Sequence, residues 1–353
     1  MATAPEGGGA FVAGFAALPP QVCALALGTN GLGGCLAHWA RIQGMDIAPL
    51  PLLFPLVAAS LLAAYIAKVA IAPAAALRDL SDPASLSAFN GAPAVAQVLA
   101  VRFSAVLPLA ARHCTIIVCY GIGLCVAVRF AQLCFRKGAR PDPSWFPGLF
   151  LWGMTNVTVQ AAGPVWLQAL VPMQWWLLMA LYAPLKAVVA YRMLLSPVRD
   201  AVAPNAGMNT LMAPGSFFTI MHLSCGKPGG DFVGLMLFAD STVFCFITCR
   251  LLYLRRSLWA GSFHPSYVAF TFPVASTATA AVLAAERLPA VAGRWSWAWA
   301  TMLTVVAMCV ICSVLLRFLW WLLGVVALAA RVEGSSPTKT GQGPPVGSGK
   351  KTE

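Results

Sequence analysis

Few side chains in this 353-residue sequence could do acid–base or metal chemistry. The four histidines are scattered along the chain, without the His-x-His or His-x-x-x-His spacing of a metal site. Among the eleven acidic residues, Asp240 is the one that lies well inside an apolar segment. A charge there is costly, so Asp240 is a candidate proton carrier, as is His222, and a structural ion pair is the alternative for Asp240. The sequence predicts no enzyme centre, no cofactor and no bound metal.

A second set of polar side chains consists of hydroxyls and amides within apolar segments. Ser276, Thr277 and Thr279 follow Pro273 in the stretch FHPSYVAFTFPVASTATAAVL. Their hydroxyls could donate hydrogen bonds to a partly dehydrated anion, or bond back to helix carbonyls. Small and amide residues interrupt other apolar segments, namely Gly28, Asn30, Gly31, Asn90 and Asn156. Such interruptions are tolerated at membrane depth where protein or water covers them, which predicts an internal cavity. Helix packing through small residues is the alternative for the glycines.

The elements that must position these groups are membrane-spanning helices. The chain is 59% hydrophobic and only 10% charged, whereas a soluble domain is about 25% charged. We predict ten spanning helices, each of roughly twenty apolar residues. They cover residues 18–39, 49–72, 84–107, 114–134, 145–166, 170–195, 210–225, 232–254, 266–287 and 295–330. The expected fold class is an all-α polytopic membrane protein, with the lipid bilayer as its first partner.

The net charge of +12 comes largely from Lys and Arg in short connections between these runs. That pattern indicates membrane topology, not nucleic-acid binding, and it favours both termini in the cytosol. The predicted domains are a cytosolic N-terminal segment (1–17), a ten-helix transmembrane domain (18–331) and a disordered cytosolic tail (332–353). The eleven cysteines show no disulfide framework.

The odd-numbered runs carry the interruptions by Gly, Pro and polar residues, and the even-numbered runs are smoother. We therefore expect five inner helices that line a space and five outer helices that shield them. Arg102 and Arg112 could form a positive vestibule that concentrates anions. They could equally be interfacial residues whose charged ends reach toward water.

Several stretches resemble one family of membrane proteins. PSYVAFTFPVASTATA at 265–280 resembles the Pro-Ser-aromatic-x-Ala-Phe-Thr-Phe-Pro segment of the tellurite-resistance/dicarboxylate transporter family. LPPQVCALALGTNGLGGCLAHWARI is similar to the first helix of that family. Three further stretches resemble other helices of the family. LRDLSDPASLSAFNGAP resembles the start of the third helix, PDPSWFPGLFLWGMTNV the start of the fifth and LMAPGSFFTIMHL part of the seventh. The family includes tellurite-resistance channels, malate permease, sulfite exporters and the slow anion channels of plant guard cells.

The resemblance implies a fold and a gate. It implies five helical hairpins in a quasi-fivefold ring around a central pore, assembled as a homotrimer. It also implies that a phenylalanine of the ninth helix plugs the closed pore, and Phe272 matches that position best, with Phe270 as the second choice. Pro273 would kink this helix at the pore, and Pro214 the seventh helix. The alternative is that Phe272 is core packing beside an ordinary proline kink.

The expected function is transport of small anions, chloride and nitrate or a C4-dicarboxylate such as malate, through this gated pore. A proton-coupled malate carrier, or a sulfite or tellurite exporter, is the alternative. Coupling would require Asp240 or His222 to titrate. A membrane enzyme or scaffold is a third class, which predicts no flux. We expect the plasma membrane as the location, with an organellar membrane as the alternative.

Overall fold

A computed structural model describes residues 9–138, 141, 145–195, 210, 212–226, 229–254, 263–291 and 293–334 of the chain. All regular structure in these ranges is helical, which confirms the predicted all-α class. The helices are α1 Gly9–Ala17, α2 Gln21–Gln43, α3 Leu50–Ile71, α4 Pro73–Asp79, α5 Pro83–Phe89, α6 Gly91–Arg102, α7 Leu109–Arg136, α8 Trp145–Met154, α9 Asn156–Ala162, α10 Val165–Gln168, α11 Val171–Leu195, α12 Ala213–Ser224, α13 Gly230–Leu254, α14 Thr271–Arg287 and α15 Arg294–Gly334. A 3-10 helix, Pro265–Phe270, leads directly into α14, and a second one spans Pro289–Val291.

Seven helical segments of the described residues are long and apolar enough to cross a membrane. They are Leu50–Ile71, Pro83–Arg102, Leu109–Arg136, Val165–Tyr191, Gly230–Arg250, Pro265–Arg287 and Arg294–Val325. The other three predicted runs are helical as well, but they differ in length or polarity. Helix α2 is long but rich in glycine and polar residues, and α8, α9 and α12 are each shorter than a bilayer requires.

Burial separates these helices into two groups. The apolar stretch of Pro265–Arg287 is 78% buried and that of Pro83–Arg102 is 56% buried. The other five candidate spans are between 28% and 33% buried. Ten of the twelve residues of α12 are buried, as are thirteen of the 23 residues of α2. The division agrees with the expected inner and outer helices. Large apolar side chains on the outer helices are exposed, as lipid contact requires.

Packing between the buried helices follows a simple order. Helix α2 contacts α6 and α14, α12 contacts α14, and α9 contacts both α6 and α12. Four of the buried helices also pack on the helix that follows them in sequence, in the pairs α2–α3, α6–α7, α12–α13 and α14–α15. Two breaks in the buried group occur at polar residues, Asn90 between α5 and α6, and Thr155 between α8 and α9.

The two prolines predicted to kink inner helices lie near the starts of their α-helices. Pro214 and Pro273 lie in the first turns of α12 and α14. Backbone N–H groups of a first turn have no acceptor within their helix, so a proline there breaks no hydrogen bond. Neither proline interrupts the hydrogen bonding of its α-helix at mid-length, and the kinks themselves remain a prediction. Prolines inside helices occur at Pro55 in α3 and Pro184 in α11, both outer helices.

The ends of the predicted transmembrane domain shift slightly. Part of the predicted N-terminal segment forms α1, which packs on α3 and α15, and residues 1–8 lie outside the described part. At the other end, α15 continues to Gly334, past the predicted start of the tail at 332. Residues 335–353 of that tail lie outside the described residues.

Candidate functional site

Two cavities meet at the ring of Phe272. The larger has a volume of about 340 Å³ and the smaller about 180 Å³. Leu27, Leu151 and Phe272 line both of them. These three apolar side chains, which we call the constriction, therefore lie at the boundary between the two cavities.

The buried helices supply the walls of both cavities. In α2, Gln21 lines the smaller cavity and His38 lines the larger one. The segments containing α6, α8–α9, α12 and α14 show the same rise in residue number from the smaller to the larger cavity. The five segments therefore run in the same direction past the constriction, as alternate crossings of a membrane would.

Phe272 is positioned by the start of α14 and by a glycine of α2. It is the second residue of α14, directly after the 3-10 helix. A Cβ added to Gly28 would lie 2.7 Å from the backbone nitrogen of Phe272, so only glycine allows this approach of the two helices. A small apolar pocket of about 30 Å³ lies beside the ring, with Phe146, Phe150 and Phe217 among its walls.

Phe270, the second gate candidate, lies elsewhere. It is 2% exposed and lines neither cavity. Its ring packs against Tyr267, with 6.3 Å between the ring centroids. The 3-10 turn therefore directs Phe270 into the core and Phe272 toward the cavities.

Four of the eight predicted lining residues line the larger cavity. They are Asn30, Gly31, Ser276 and Thr279. The other four line neither cavity, and they are Gly28, Asn90, Asn156 and Thr277. Asn90 instead joins two helices, because its Nδ2 donates a hydrogen bond to the carbonyl of Pro147 at 3.0 Å. Thr277 faces α12, where its hydroxyl lies 2.7 Å from that of Ser216.

Four of the five hydroxyls that line the larger cavity donate to backbone or side-chain carbonyls. Ser276 donates to Pro273 at 2.9 Å, and Thr279 to Ala275 at 2.9 Å. Two unpredicted lining residues do the same, Thr155 to Trp152 at 2.5 Å and Thr158 to Gln97 at 2.9 Å. The structure has the back-bonded arrangement that was the alternative to anion contact.

Asp240, the predicted proton carrier, is part of a paired cluster outside the cavities. Its Oδ2 accepts a hydrogen bond from the Tyr182 hydroxyl at 2.8 Å and forms an ion pair with Lys186. The Lys186 ammonium also donates to the Tyr182 oxygen at 2.7 Å. We call these three side chains the Lys186 cluster. It joins α11 to α13 and matches the structural alternative for Asp240.

His222, the other coupling candidate, is buried in α12. It lines neither cavity, and its ring centroid lies 5.8 Å from that of Trp175. The two coupling candidates therefore do not meet each other in a common cavity.

Basic side chains surround the larger cavity at the end away from Phe272. Arg102, Arg287 and His38 line it, and its described lining includes no Asp or Glu. The predicted partner Arg112 is not among the lining residues. Arg287 was not among the predicted site residues. Its position at 3.6-residue spacing from Phe272, Ser276 and Thr279 was the available signal.

An exposed charge cluster borders this end of the cavity. His38 Nε2 lies 2.8 Å from Glu286, and Arg41 lies 3.3 Å from the same carboxylate. Arg287 donates to the carbonyl of Leu223 at 2.7 Å. In the described part of the chain, no group of three or more His, Cys, Asp or Glu side chains has the arrangement of a metal site.

Comparison with known proteins identifies one matching family. The family described as voltage-dependent anion channel matches residues 17–319. A comparison with curated proteins returns no similar sequence. The matched region contains both cavities, the constriction and every inner helix.

Proposed function

The chain belongs to the voltage-dependent anion channel family, and from this premise we propose that it conducts small anions through the two cavities with Phe272 as the gate between them. Membership makes the chain an integral membrane protein of anion transport. The identity of the anion and the role of Phe272 are the proposal. The observation that carries it is the position of one ring at the boundary of two cavities lined by the same five inner segments.

The chemistry of the constriction supports a closed gate. Leu27, Leu151 and Phe272 offer no polar group to replace the hydration shell of an ion. A narrow apolar passage loses its water and blocks ions, and it conducts when it widens. Rotation of the Phe272 ring toward the aromatic pocket beside it would widen the passage.

Electrostatics along the pathway favour anions over cations. The basic side chains of the larger cavity raise the local concentration of anions. Helix α12 begins beside the apolar pocket next to Phe272, and the N-terminus of a helix carries partial positive charge. The contacts between the inner helices close into a ring, since in the order α2, α6, α9, α12 and α14 each helix packs on the next and α14 packs on α2. This closed order supports a ring of helix pairs around the pathway.

A passive channel fits better than a proton-coupled carrier. Asp240 is paired with Lys186, and neither Asp240 nor His222 lines a cavity. A coupling residue must meet the substrate pathway or a proton pathway connected to it. We therefore propose uniport, with chloride, nitrate and malate as the anions to compare.

The shared direction of the inner helices supports both termini on the same side of the membrane. The excess of Lys and Arg in the loops on that side supports the cytosol as this side. In that orientation the smaller cavity faces the cytosol and the larger one faces the outside of the plasma membrane.

The test is the anion current of purified protein in planar bilayers. Wild type, Phe272→Ala and Phe270→Ala are compared in chloride, nitrate and malate, each at two pH values. Phe270→Ala is the matched control, since it truncates the same type of ring two positions away in the core. We expect at least a tenfold, pH-independent rise in conductance for Phe272→Ala, because truncation removes the apolar block.

Two results would overturn the proposal. Equal conductance of Phe272→Ala and Phe270→Ala would remove Phe272 as the gate. Malate uptake by wild type that requires a proton gradient would replace the channel with the coupled carrier. Asp240→Asn and His222→Gln would then identify the coupling group.

A further inference from the structure

Arg102 differs from the other charged side chains near the cavities in having no partner. It is the last residue of α6 and its side chain lines the larger cavity. Within the described part of the chain, its guanidinium makes no hydrogen bond and no ion pair. A guanidinium carries five N–H donors and stays charged, so an unpaired one in a cavity without carboxylates can accept an anionic ligand.

A glycine makes room for this guanidinium. The Nη2 atom of Arg102 lies against Gly34 of α2, where an added Cβ would overlap it. Gly34 lines the larger cavity as well. The helix surface at this position therefore holds the guanidinium over α2 within the cavity.

Asn30 is the second unpaired group on the same face of α2. Residues 30, 34 and 38 follow each other at four-residue spacing, so they lie on one side of the helix. Asn30 is 1% exposed and lines the larger cavity. Both polar atoms of its side-chain amide are buried without a hydrogen-bond partner. A buried amide in this state costs free energy until a ligand satisfies it.

Three of the hydroxyl groups that line the larger cavity have no free hydrogen for an anion, and the other basic lining residues, His38 and Arg287, have partners of their own. The hydroxyl hydrogens of Ser276, Thr279 and Thr158 are donated to carbonyls, so these residues present lone pairs to the cavity. Arg102 supplies the positive charge, and the Asn30 amide can add a donor.

We infer that Arg102 and Asn30 form a binding site for a planar oxyanion, such as nitrate or a carboxylate, in the larger cavity. The inference rests on the proposed function in that it assigns a preferred substrate class to the same pathway. The physical basis is the guanidinium fork, whose parallel N–H groups match two oxygens of a planar anion and not a spherical halide. Gly34 is the positioning residue that keeps the fork in place.

A basic residue in the last turn of a helix also interacts with the helix dipole, and Arg102 occupies that position in α6. That role needs a positive charge but no fork. Arg102→Lys keeps the charge as a point source and removes the fork, so it separates the two roles.

The experiment measures binding in the absence of transport. Detergent-purified wild type, Arg102→Lys, Arg102→Gln and Arg112→Gln are heated while nitrate or acetate replaces chloride at constant ionic strength. Binding to the folded state raises the unfolding temperature, and the stabilisation grows with the logarithm of the ratio of ligand concentration to Kd. Arg112 is the matched control, because it is an arginine that does not line the cavity.

Wild type and Arg112→Gln should be stabilised by both planar anions relative to chloride. Arg102→Gln should weaken nitrate and acetate affinity by about tenfold or more, as loss of a charged bidentate contact predicts. Arg102→Lys should still bind anions but lose the preference for planar ones. Should Arg102→Gln fail to fold, Arg102→Lys answers the question alone.

An unchanged nitrate response in Arg102→Gln, or a full planar preference in Arg102→Lys, would overturn the site. The result is independent of the gate. A silent Phe272→Ala channel with an intact Arg102-dependent temperature shift would remove the gate and leave the site. A conductive Phe272→Ala channel without that temperature shift would support the gate and remove the Arg102 site.

Discussion

Two lysines of the outer helices, Lys68 and Lys186, are paired with aspartates, whereas Arg102 of the inner cavity is not paired within the described ranges of the chain. Lys68 is 2% exposed in α3 and donates to Asp79 at 2.7 Å and to the carbonyl of Leu18 at 2.7 Å. The Tyr65 hydroxyl donates to the same carboxylate at 3.0 Å. Lys68, Asp79 and Tyr65, which we call the Lys68 cluster, thus repeat the chemistry of the Lys186 cluster.

The comparison separates two uses of a charge in this membrane protein. In the Lys68 and Lys186 clusters, a lysine and a tyrosine both donate to one aspartate oxygen. The charge is compensated inside the protein, and each cluster joins two helices, neighbours in sequence for Lys68 and distant in sequence for Lys186. Arg102 has no such compensation among the described residues, which leaves its donors available to a ligand. The predictions below test whether pairing decides between structure and binding.

The largest effect on stability is expected from breaking the Lys68 cluster. Lys68→Met would leave the Asp79 carboxylate largely unpaired, and loss of one partner of a buried pair costs about 3 kcal/mol or more. The double variant Lys68→Met/Asp79→Leu should recover most of this loss, because an apolar pair avoids the cost of burying charge. Unfolding in detergent, followed by heat or by denaturant, measures both.

Two outcomes would contradict the prediction for the Lys68 cluster. Equal stability of wild type and Lys68→Met would mean that the cluster contributes no net stability. A double variant no better than the single one would show that the carboxylate was not the source of the loss.

A much smaller change is expected when the unpaired charge is removed. Arg102→Met leaves no carboxylate without a partner, so its free energy of unfolding in chloride should lie within about 1 kcal/mol of wild type. The same denaturation assay checks this directly beside Lys68→Met. A loss as large as that of Lys68→Met would indicate a structural partner for Arg102 and contradict the comparison.

A subtler change is expected from Gly34→Ala. The added Cβ displaces the Arg102 guanidinium without changing its charge, so planar anions should bind a few-fold more weakly relative to chloride. Gly121→Ala is the matched control, because a Cβ there meets nothing within 4 Å. The temperature shift in nitrate measures both, and an equal response of the two variants would contradict the positioning role of Gly34.

Much of the architecture could be predicted from the sequence because a membrane helix is recognised from a local run of about twenty apolar residues. Apolar length predicted the helices, and interruptions such as Asn90 marked the buried ones. The lysine pairs could not be predicted in this way. Lys68 and Lys186 lie near helix ends in sequence, and Asp240 is separated from Lys186 by 54 positions. Only the packing of the helices brings the partners together.

The site was predictable in type but not in detail. The family resemblance pointed to Phe272, and the local sequence pointed to the hydroxyls after it. Which of them face the cavity depends on the rotation of α14, and one residue turns a helix by about 100°. Ser276 faces the cavity and Thr277 faces α12 for this reason. Arg102 was grouped with Arg112 because sequence distance cannot show that only Arg102 lies over Gly34.

The smallest effects are expected for the cavity hydroxyls. Their substitution tests most directly whether a polar group that is already paired can still contact the anion. Ser276→Ala and Thr279→Val remove hydroxyls whose hydrogens are already donated to helix carbonyls. An anion in the cavity therefore loses no donor, and the nitrate-to-chloride permeability ratio should stay within about twofold of wild type, well under the tenfold that corresponds to about 1.4 kcal/mol. The ratio is read from reversal potentials in the Phe272→Ala background. A large drop in nitrate permeability would mean that these hydroxyls turn toward the anion during conduction. Selectivity would then depend on groups paired in the closed state, and pairing alone would no longer separate structural residues from ligand-binding ones.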